Sequence, residues 1–157
     1  KISPWQERPG LGVSLVSHGG TFIATVAEVQ VHRATGILTV PRVWVAVNVG
    51  LAVQPANVRR LIRGGVVMGL SHALIEQVTI RDGGVEQSNF HDYPIAILEH
   101  VPDITVEVLE TSGVPSAVGE LGGLGVAGAV ANGFADLTNR NIRHMPFLPE
   151  RVLDALK

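Results

Sequence analysis

Two runs rich in β-branched residues lie close together early in the chain, at residues 22–32 and 37–47. Branched side chains favour strands, and the first run ends by alternating apolar with polar residues, as in a strand with one buried face. Only Arg33-Ala34-Thr35-Gly36 separates the runs, which predicts a hairpin turn. Gly19-Gly20 predicts an earlier turn. Residues 11–49 should therefore form three antiparallel strands.

The remainder of the chain predicts helices packed on that sheet. Pro55 suits the first turn of a helix, and apolar residues after it recur at three- and four-residue spacing. Residues 104–109 alternate as a further strand, whereas 124–139 and 149–156 predict helices. The predicted fold class is α+β, an antiparallel or mixed sheet packed with two main helices, in one domain over residues 1–157.

Composition narrows the classes of function. Hydrophobic residues make up 46% of the 157 residues and charged residues 17%, which suggests that part of the surface is covered by something else. No stretch approaches the roughly 20 apolar residues of a membrane span. A net charge of −2 without a basic run disfavours nucleic acid as a ligand. The absence of cysteine excludes disulfides, thiolate metal sites and iron–sulfur ligation by this chain.

Glu120 is the leading candidate for a catalytic group. It lies in the glycine-dense apolar run Val118-Gly119-Glu120-Leu121-Gly122-Gly123, just before a predicted helix. We expect such a turn to offer the carboxylate little water, and desolvation raises a carboxyl pKa toward that of a general base. The alternative is a first-turn glutamate favoured only by the helix dipole. The local sequence alone leaves both interpretations open.

Glycines in the predicted helix after Pro55 point to a close approach. Gly64, Gly65 and Gly69 each cost about 1 kcal/mol of helix stability relative to alanine. Their presence predicts that this helix closely approaches a partner, and packing on the sheet is the simplest alternative.

Other motifs carry less weight. His91-Asp92-Tyr93 would suit a proton-handling or metal site, or else a structural hydrogen-bond knot in a loop. Residues 123–128 match G-x-G-x-x-G, but no strand directly precedes them and no βαβ unit follows, which argues against a dinucleotide fold. The six histidines show no metal-ligand spacing, and the serines lack a nucleophile elbow.

Several short sequence motifs occur in a fixed order along the chain, at residues 26–31, 64–74, 89–93, 118–120 and 142–146, with Gly50 and Gln54-Pro55 between the first two. This ordered set resembles the C-terminal lobe of the molybdopterin-binding large subunit of the xanthine oxidase family of molybdenum hydroxylases. The resemblance is strongest to the large subunits of bacterial isoquinoline 1-oxidoreductases and aldehyde dehydrogenases.

The resemblance implies a role for each part of the site. It makes Glu120 the catalytic base beside molybdenum, in an enzyme that hydroxylates an aldehyde or N-heterocycle with water-derived oxygen. It implies a molybdenum–molybdopterin cofactor in its cytosine dinucleotide form and no metal ligand from this chain. It also implies cofactor contacts from Gly65, Gly119, Leu121, Gly122 and Gly123.

The resemblance also implies that the chain is a fragment or split-subunit piece, since most cofactor-binding loops of the family lie upstream. Its expected partners are the rest of the molybdopterin-binding subunit and an iron–sulfur or cytochrome subunit that removes electrons. The compartment stays open between bacterial cytoplasm and periplasm. Leu61 stands where the family usually has a pterin-contacting glutamine, and prolines are missing after Glu120. These departures motivate the alternative of a non-catalytic scaffold that binds no cofactor.

Overall fold

Two tight turns fold the first half of the chain into an antiparallel meander. A computed structural model describes residues 8–157. Strand β1 spans Gly10–His18, β2 spans Thr21–His32 and β3 spans Ile37–Asn48, each paired with the next. Gly19 and Gly20 have φ of +57° and +85°, the left-handed pair that a two-residue hairpin loop requires. The three predicted antiparallel strands and both turns are confirmed.

A fourth strand makes the sheet mixed. Strand β6, Asp103–Val108, lies beside β3 and runs parallel to it, which gives the order β1-β2-β3-β6. Parallel neighbours need a crossover connection. Here the crossover contains helix α1, Pro55–Leu74, a small hairpin of β4, Ile80–Arg81, and β5, Gly84–Val85, and a short 3-10 helix at Leu98–His100. The α+β prediction with a mixed sheet is confirmed.

Three further helices follow the sheet. They are α2 at Leu121–Leu124, α3 at Val126–Thr138 and α4 at Pro149–Leu156. The prediction of one helix over 124–139 was wrong at its start, because a separate single turn precedes it and the chain restarts at Gly125. A Cβ on Gly125 would lie 2.6 Å from Ser14 Oγ, so the chain passes too close to β1 for a side chain there.

The core lies between the helices and one face of the sheet. Strands β2 and β3 send alternate residues inward, among them the fully buried Val29 and Val43, which share one core cluster with Val126 and Phe134 of α3. Helix α1 adds the stripe Val58, Ile62, Val66, Leu70 and Ala73. Its spacing is the one that the sequence predicted. Within residues 8–157 no helix has both the length and the apolar character needed to cross a membrane.

The opposite face of the sheet presents apolar side chains outward. The strand register places Leu15 beside Ala24, and Val13 beside Val26 and Trp44. We call the following residues the outer face: Leu11, Val13, Leu15, Phe22, Val26 and Trp44. The first four are each more than half exposed. A sheet with one bare apolar face is typical of a layer that another layer covers.

Candidate functional site

Glu120 stands at the end of a long loop, immediately before α2. Its side chain makes no capping hydrogen bond to that helix, so it is not a conventional N-cap. The carboxylate is 57% exposed. The expectation that the glycine-rich turn shields it from water was therefore wrong for residues 8–157. Glycine and leucine neighbours supply no side chain that reaches over the carboxylate, because Leu121 turns inward to the core.

Glu120 lies in the wall of a groove between α1 and the turn of α2. The groove has a volume of about 560 Å³. One wall is a single ridge of α1, formed by residues at i, i+4 and i+8 spacing and their neighbours: Arg60, Leu61, Gly64, Gly65, Met68, Gly69 and His72. The other wall consists of Gly119, Glu120, Gly123 and Leu124. Apart from Arg60, His72 and Glu120, these residues are apolar or glycine.

Bare backbone brings the two walls together. A Cβ on Gly65 would lie 2.8 Å from Gly122 Cα, and one on Gly69 would lie 2.7 Å from Gly123 O. The predicted close approach of α1 is confirmed at these two positions, but its partner is α2 rather than the sheet. A Cβ on Gly64, which also lines the groove, would meet no atom within 4 Å, so this position opens onto the groove.

The structure brings most of the predicted site residues together. Glu120, Gly119, Gly123 and Gly65 all line the groove. The side chain of Leu121 is fully buried, and neither it nor the buried Gly122 lines the groove. Leu61, which the sequence marked as a departure from the family pattern, lines the groove and is half exposed.

A small polar cluster lies at the C-terminal end of α1, where His72 lines the groove. His72 Nε2 lies 3.4 Å from Glu76 Oε2, and the Tyr93 hydroxyl donates a hydrogen bond of 2.6 Å to the same oxygen. Partial burial alone would raise the pKa of Glu76, but hydrogen bonds from Ser71 and Tyr93, together with the His72 charge, lower it below the ordinary value. Glu76 is thus a carboxylate that holds His72 at the groove.

Sequence reasoning missed His18 as a neighbour of the site. His18 is the last residue of β1, and its Nε2 lies 3.1 Å from Glu120 Oε1. The two residues are far apart in the chain, and no local pattern signals their contact. The α1 ridge does have a sequence signal, the four-residue spacing of Arg60, Gly64, Met68 and His72, which places them on one face of a helix.

The loop at residues 88–93 forms the structural knot that was one of the two open interpretations. Asp92 accepts backbone hydrogen bonds from Ser88 and Asn89, which lower its pKa. His91 Nε2 lies 3.6 Å from Asp92 Oδ2. Across residues 8–157 no group of three or more His, Cys, Asp or Glu side chains could hold a metal ion.

The glycines at residues 123–128 serve packing. Gly125 lies against Ser14 and Thr25 of the sheet, and Gly123 against α1. The preceding strand, β6, ends at Val108, well before α2 begins at Leu121, and no strand follows in the described part of the chain. The arrangement is not the strand–turn–helix of a dinucleotide fingerprint.

Comparison with known proteins places the chain in a family. Residues 8–102 match the molybdopterin cofactor-binding domain. The chain is 37% identical over 156 residues to the isoquinoline 1-oxidoreductase subunit beta of Brevundimonas diminuta, with 95% of this chain and 20% of the relative covered. It is 30% identical over 144 residues to the aldehyde oxidoreductase molybdenum-binding subunit PaoC of Escherichia coli, with 87% and 20% covered.

Solved structures agree with the sequence relatives. The fold matches quinoline 2-oxidoreductase from Pseudomonas putida with a TM-score of 0.79 and 25% identity, covering 87% of this chain and 18% of that one. The chain spans about a fifth of the length of the curated relatives it matches. The chain belongs to the molybdopterin cofactor-binding domain family, and it corresponds to one part of the large subunit of molybdenum hydroxylases.

Proposed function

We propose that the chain is the part of a molybdenum hydroxylase that supplies the catalytic base, Glu120, to a molybdenum–pterin site completed by other parts of the same subunit. The observation that carries this proposal is the position of Glu120 in the wall of a glycine-lined groove. The substrate class that the resemblance suggests is an aldehyde or an N-heterocycle.

The groove combines glycine and apolar walls with the basic side chains Arg60 and His72, a lining that suits a flat pterin ring carrying anionic groups. Its volume of about 560 Å³ lies in the range of ligand pockets. At Gly64 and Gly119 a Cβ would meet no atom within 4 Å, so the absence of side chains leaves open space for a ligand at both walls. Gly65 and Gly123 would lie beside the cofactor, with Leu61, Met68 and Leu124 as apolar contacts. When bound, the molybdenum–pterin group supplies two-electron redox chemistry.

Glu120 would act as the proton acceptor of the site. Its carboxylate faces the groove and is open to solvent within this chain, so a covering lobe would have to remove that water. Desolvation by the lobe would then favour proton uptake by the carboxylate. Arg60 and His72 on the facing ridge would hold anionic or acceptor groups of the ligand.

The outer face of the sheet is a candidate surface for contact with the rest of the subunit. The outer face is apolar and bare, and the chain is about a fifth as long as its relatives. We therefore assign the outer face to contact with the rest of the molybdopterin-binding subunit. An iron–sulfur or cytochrome subunit would remove the electrons from the molybdenum site. The dinucleotide form of the cofactor is tested by acid hydrolysis, which should release a cytosine nucleotide.

Replacement of Glu120 tests the catalytic assignment. In the assembled enzyme we expect Glu120→Gln to lower kcat by about two orders of magnitude or more, as for a lost general base, with molybdenum content unchanged. Glu110→Gln is the matched control, because it makes the same chemical change outside the groove. Near-normal hydroxylation by Glu120→Gln would overturn the assignment.

The alternative function is a scaffold of the same fold that binds no cofactor. It is favoured by Leu61 in the groove, where a polar pterin contact was expected. Metal analysis of the complex purified with its natural partners separates the two functions. Stoichiometric molybdenum excludes the scaffold, whereas a stable complex without molybdenum would support it.

A further inference from the structure

We propose that the turn between β1 and β2 positions the carboxylate of Glu120, with His18 and Thr21 as the positioning residues. The inference rests on the proposed role of Glu120 and adds two residues to it. It concerns how the base is held, since the loop before Glu120 has no regular secondary structure from Leu109 to Gly119 apart from turns.

The turn and the loop are joined by buried hydrogen bonds. Thr21 is fully buried, and its hydroxyl donates to Ala117 O at 2.6 Å. Thr21 Oγ1 also lies 2.6 Å from the Ser116 hydroxyl oxygen. These bonds fix the backbone only three and four residues before Glu120. A buried hydroxyl with both partners in place specifies position well, because displacement of the loop would leave it unsatisfied.

His18 extends this attachment to the side chain of Glu120. His18 and Thr21 face each other across the hairpin as the last cross-strand pair, so their side chains lie on the same face of the sheet. Thr21 reaches the loop backbone, and His18 Nε2 reaches Glu120 Oε1 at 3.1 Å. The imidazole therefore favours one orientation of a carboxylate that is otherwise free to rotate in solvent.

The geometry of the turn depends on its two glycines. A Cβ on Gly19 would lie 3.0 Å from Ala117 Cβ, and one on Gly20 would lie 3.4 Å from Ser116 Cβ. Both glycines also have positive φ. Glycine at these two positions lets the hairpin turn sharply and lets the loop lie directly against it. The turn is thus shaped to support the loop that carries Glu120.

Proximity is tested first in the 157-residue chain itself. We expect nuclear Overhauser effects between the ring protons of His18 and the side-chain protons of Glu120, and changed chemical shifts of those Glu120 protons in His18→Leu. His18 is more than half exposed, so this substitution leaves the core untouched. Absence of the effects in the wild-type chain would overturn the contact.

Catalysis in the assembled enzyme tests the consequence. We expect His18→Leu to lower kcat about ten- to a hundredfold with KM and molybdenum content unchanged, as for a misplaced catalytic group. His18→Gln, whose amide can still reach the carboxylate, should restore most of the loss. Thr21→Val should lower kcat and Thr21→Ser should retain it.

The outcomes separate this inference from the proposed function. If Glu120→Gln is inactive while His18→Leu keeps kcat within twofold of wild type, the positioning role fails and the role of Glu120 stands. If His18→Gln is as impaired as His18→Leu, positioning by a polar contact is wrong. If Glu120→Gln remains active, both proposals fail together.

Discussion

Adjacent glycines in α1 should respond oppositely to the same substitution. Gly64 and Gly65 lie in the interior of one helix, where glycine costs about 0.5–1 kcal/mol relative to alanine. At Gly64 the added methyl would meet no atom within 4 Å. We therefore expect Gly64→Ala to stabilise the fold by about 0.5–1 kcal/mol, or about 1–4 °C in Tm for a domain of this size.

Gly65→Ala gains the same helix propensity but meets an obstacle. Its Cβ would lie 2.8 Å from Gly122 Cα and 3.1 Å from the N and C atoms of that residue. These are backbone atoms, which cannot rotate away, and overpacking of this kind costs about 1–3 kcal/mol. Because propensity cancels between the two variants, their difference in unfolding free energy should equal that cost.

Urea unfolding of both variants followed by circular dichroism measures the difference. Equal stability of the two would refute the backbone contact between α1 and α2. Destabilisation by Gly64→Ala would refute the view that this position opens onto the groove. In the assembled enzyme the methyl group of Gly64→Ala should lower molybdenum content, because it fills space assigned to the cofactor.

Two further predictions follow from charge and exposure. Backbone hydrogen bonds lower the pKa of Asp92, and a hydrogen bond from Arg8 lowers the pKa of Asp136. The stability that these two carboxylates contribute is therefore complete above the unfolded carboxyl pKa of about 4, and it is lost as pH falls through their pKa values in the folded protein. Urea midpoints should drop below pH 4, and less so in Asp136→Asn; equal slopes for the two proteins would contradict the linkage. Leu15→Lys on the outer face should change the stability of this chain by less than about 0.5 kcal/mol but weaken its co-purification with the rest of the subunit; unchanged co-purification would remove the outer face from that interface.

Local patterns predicted most of the secondary structure. The strand runs, the Gly19-Gly20 turn and the start of α1 at Pro55 each depend on residues close in sequence, and each is present. The parallel pairing of β6 with β3 was left open by the sequence, because it is decided by where the α1 crossover returns the chain. The predicted start of α3 was wrong for a similar reason, since the helix is interrupted at Gly125, which packs closely against Ser14 on β1.

The candidate site was predictable only in part. Glu120 was found from its neighbours and the family phrases, but its exposure was not, because solvent access depends on which elements surround the turn. Gly64 and Gly65 look alike in sequence, and only packing shows that one opens into the groove while the other contacts α2. The contact between His18 and Glu120 joins residues that are far apart in the chain, and it has no sequence signal.

The contact of glycine backbones between α1 and α2 has a consequence for how this fold can change its ligands. Gly65 contacts Gly122 and Gly69 contacts Gly123 with no side chain between them, so main-chain atoms determine the width of the groove. Point mutation cannot widen it gradually, since any larger residue there separates the helices. Adaptation to a new ligand should instead alter the rim, at Leu61, Met68 and Leu124. The width of the groove is therefore fixed by the backbone, whereas its ligand selectivity can change through side chains at the rim.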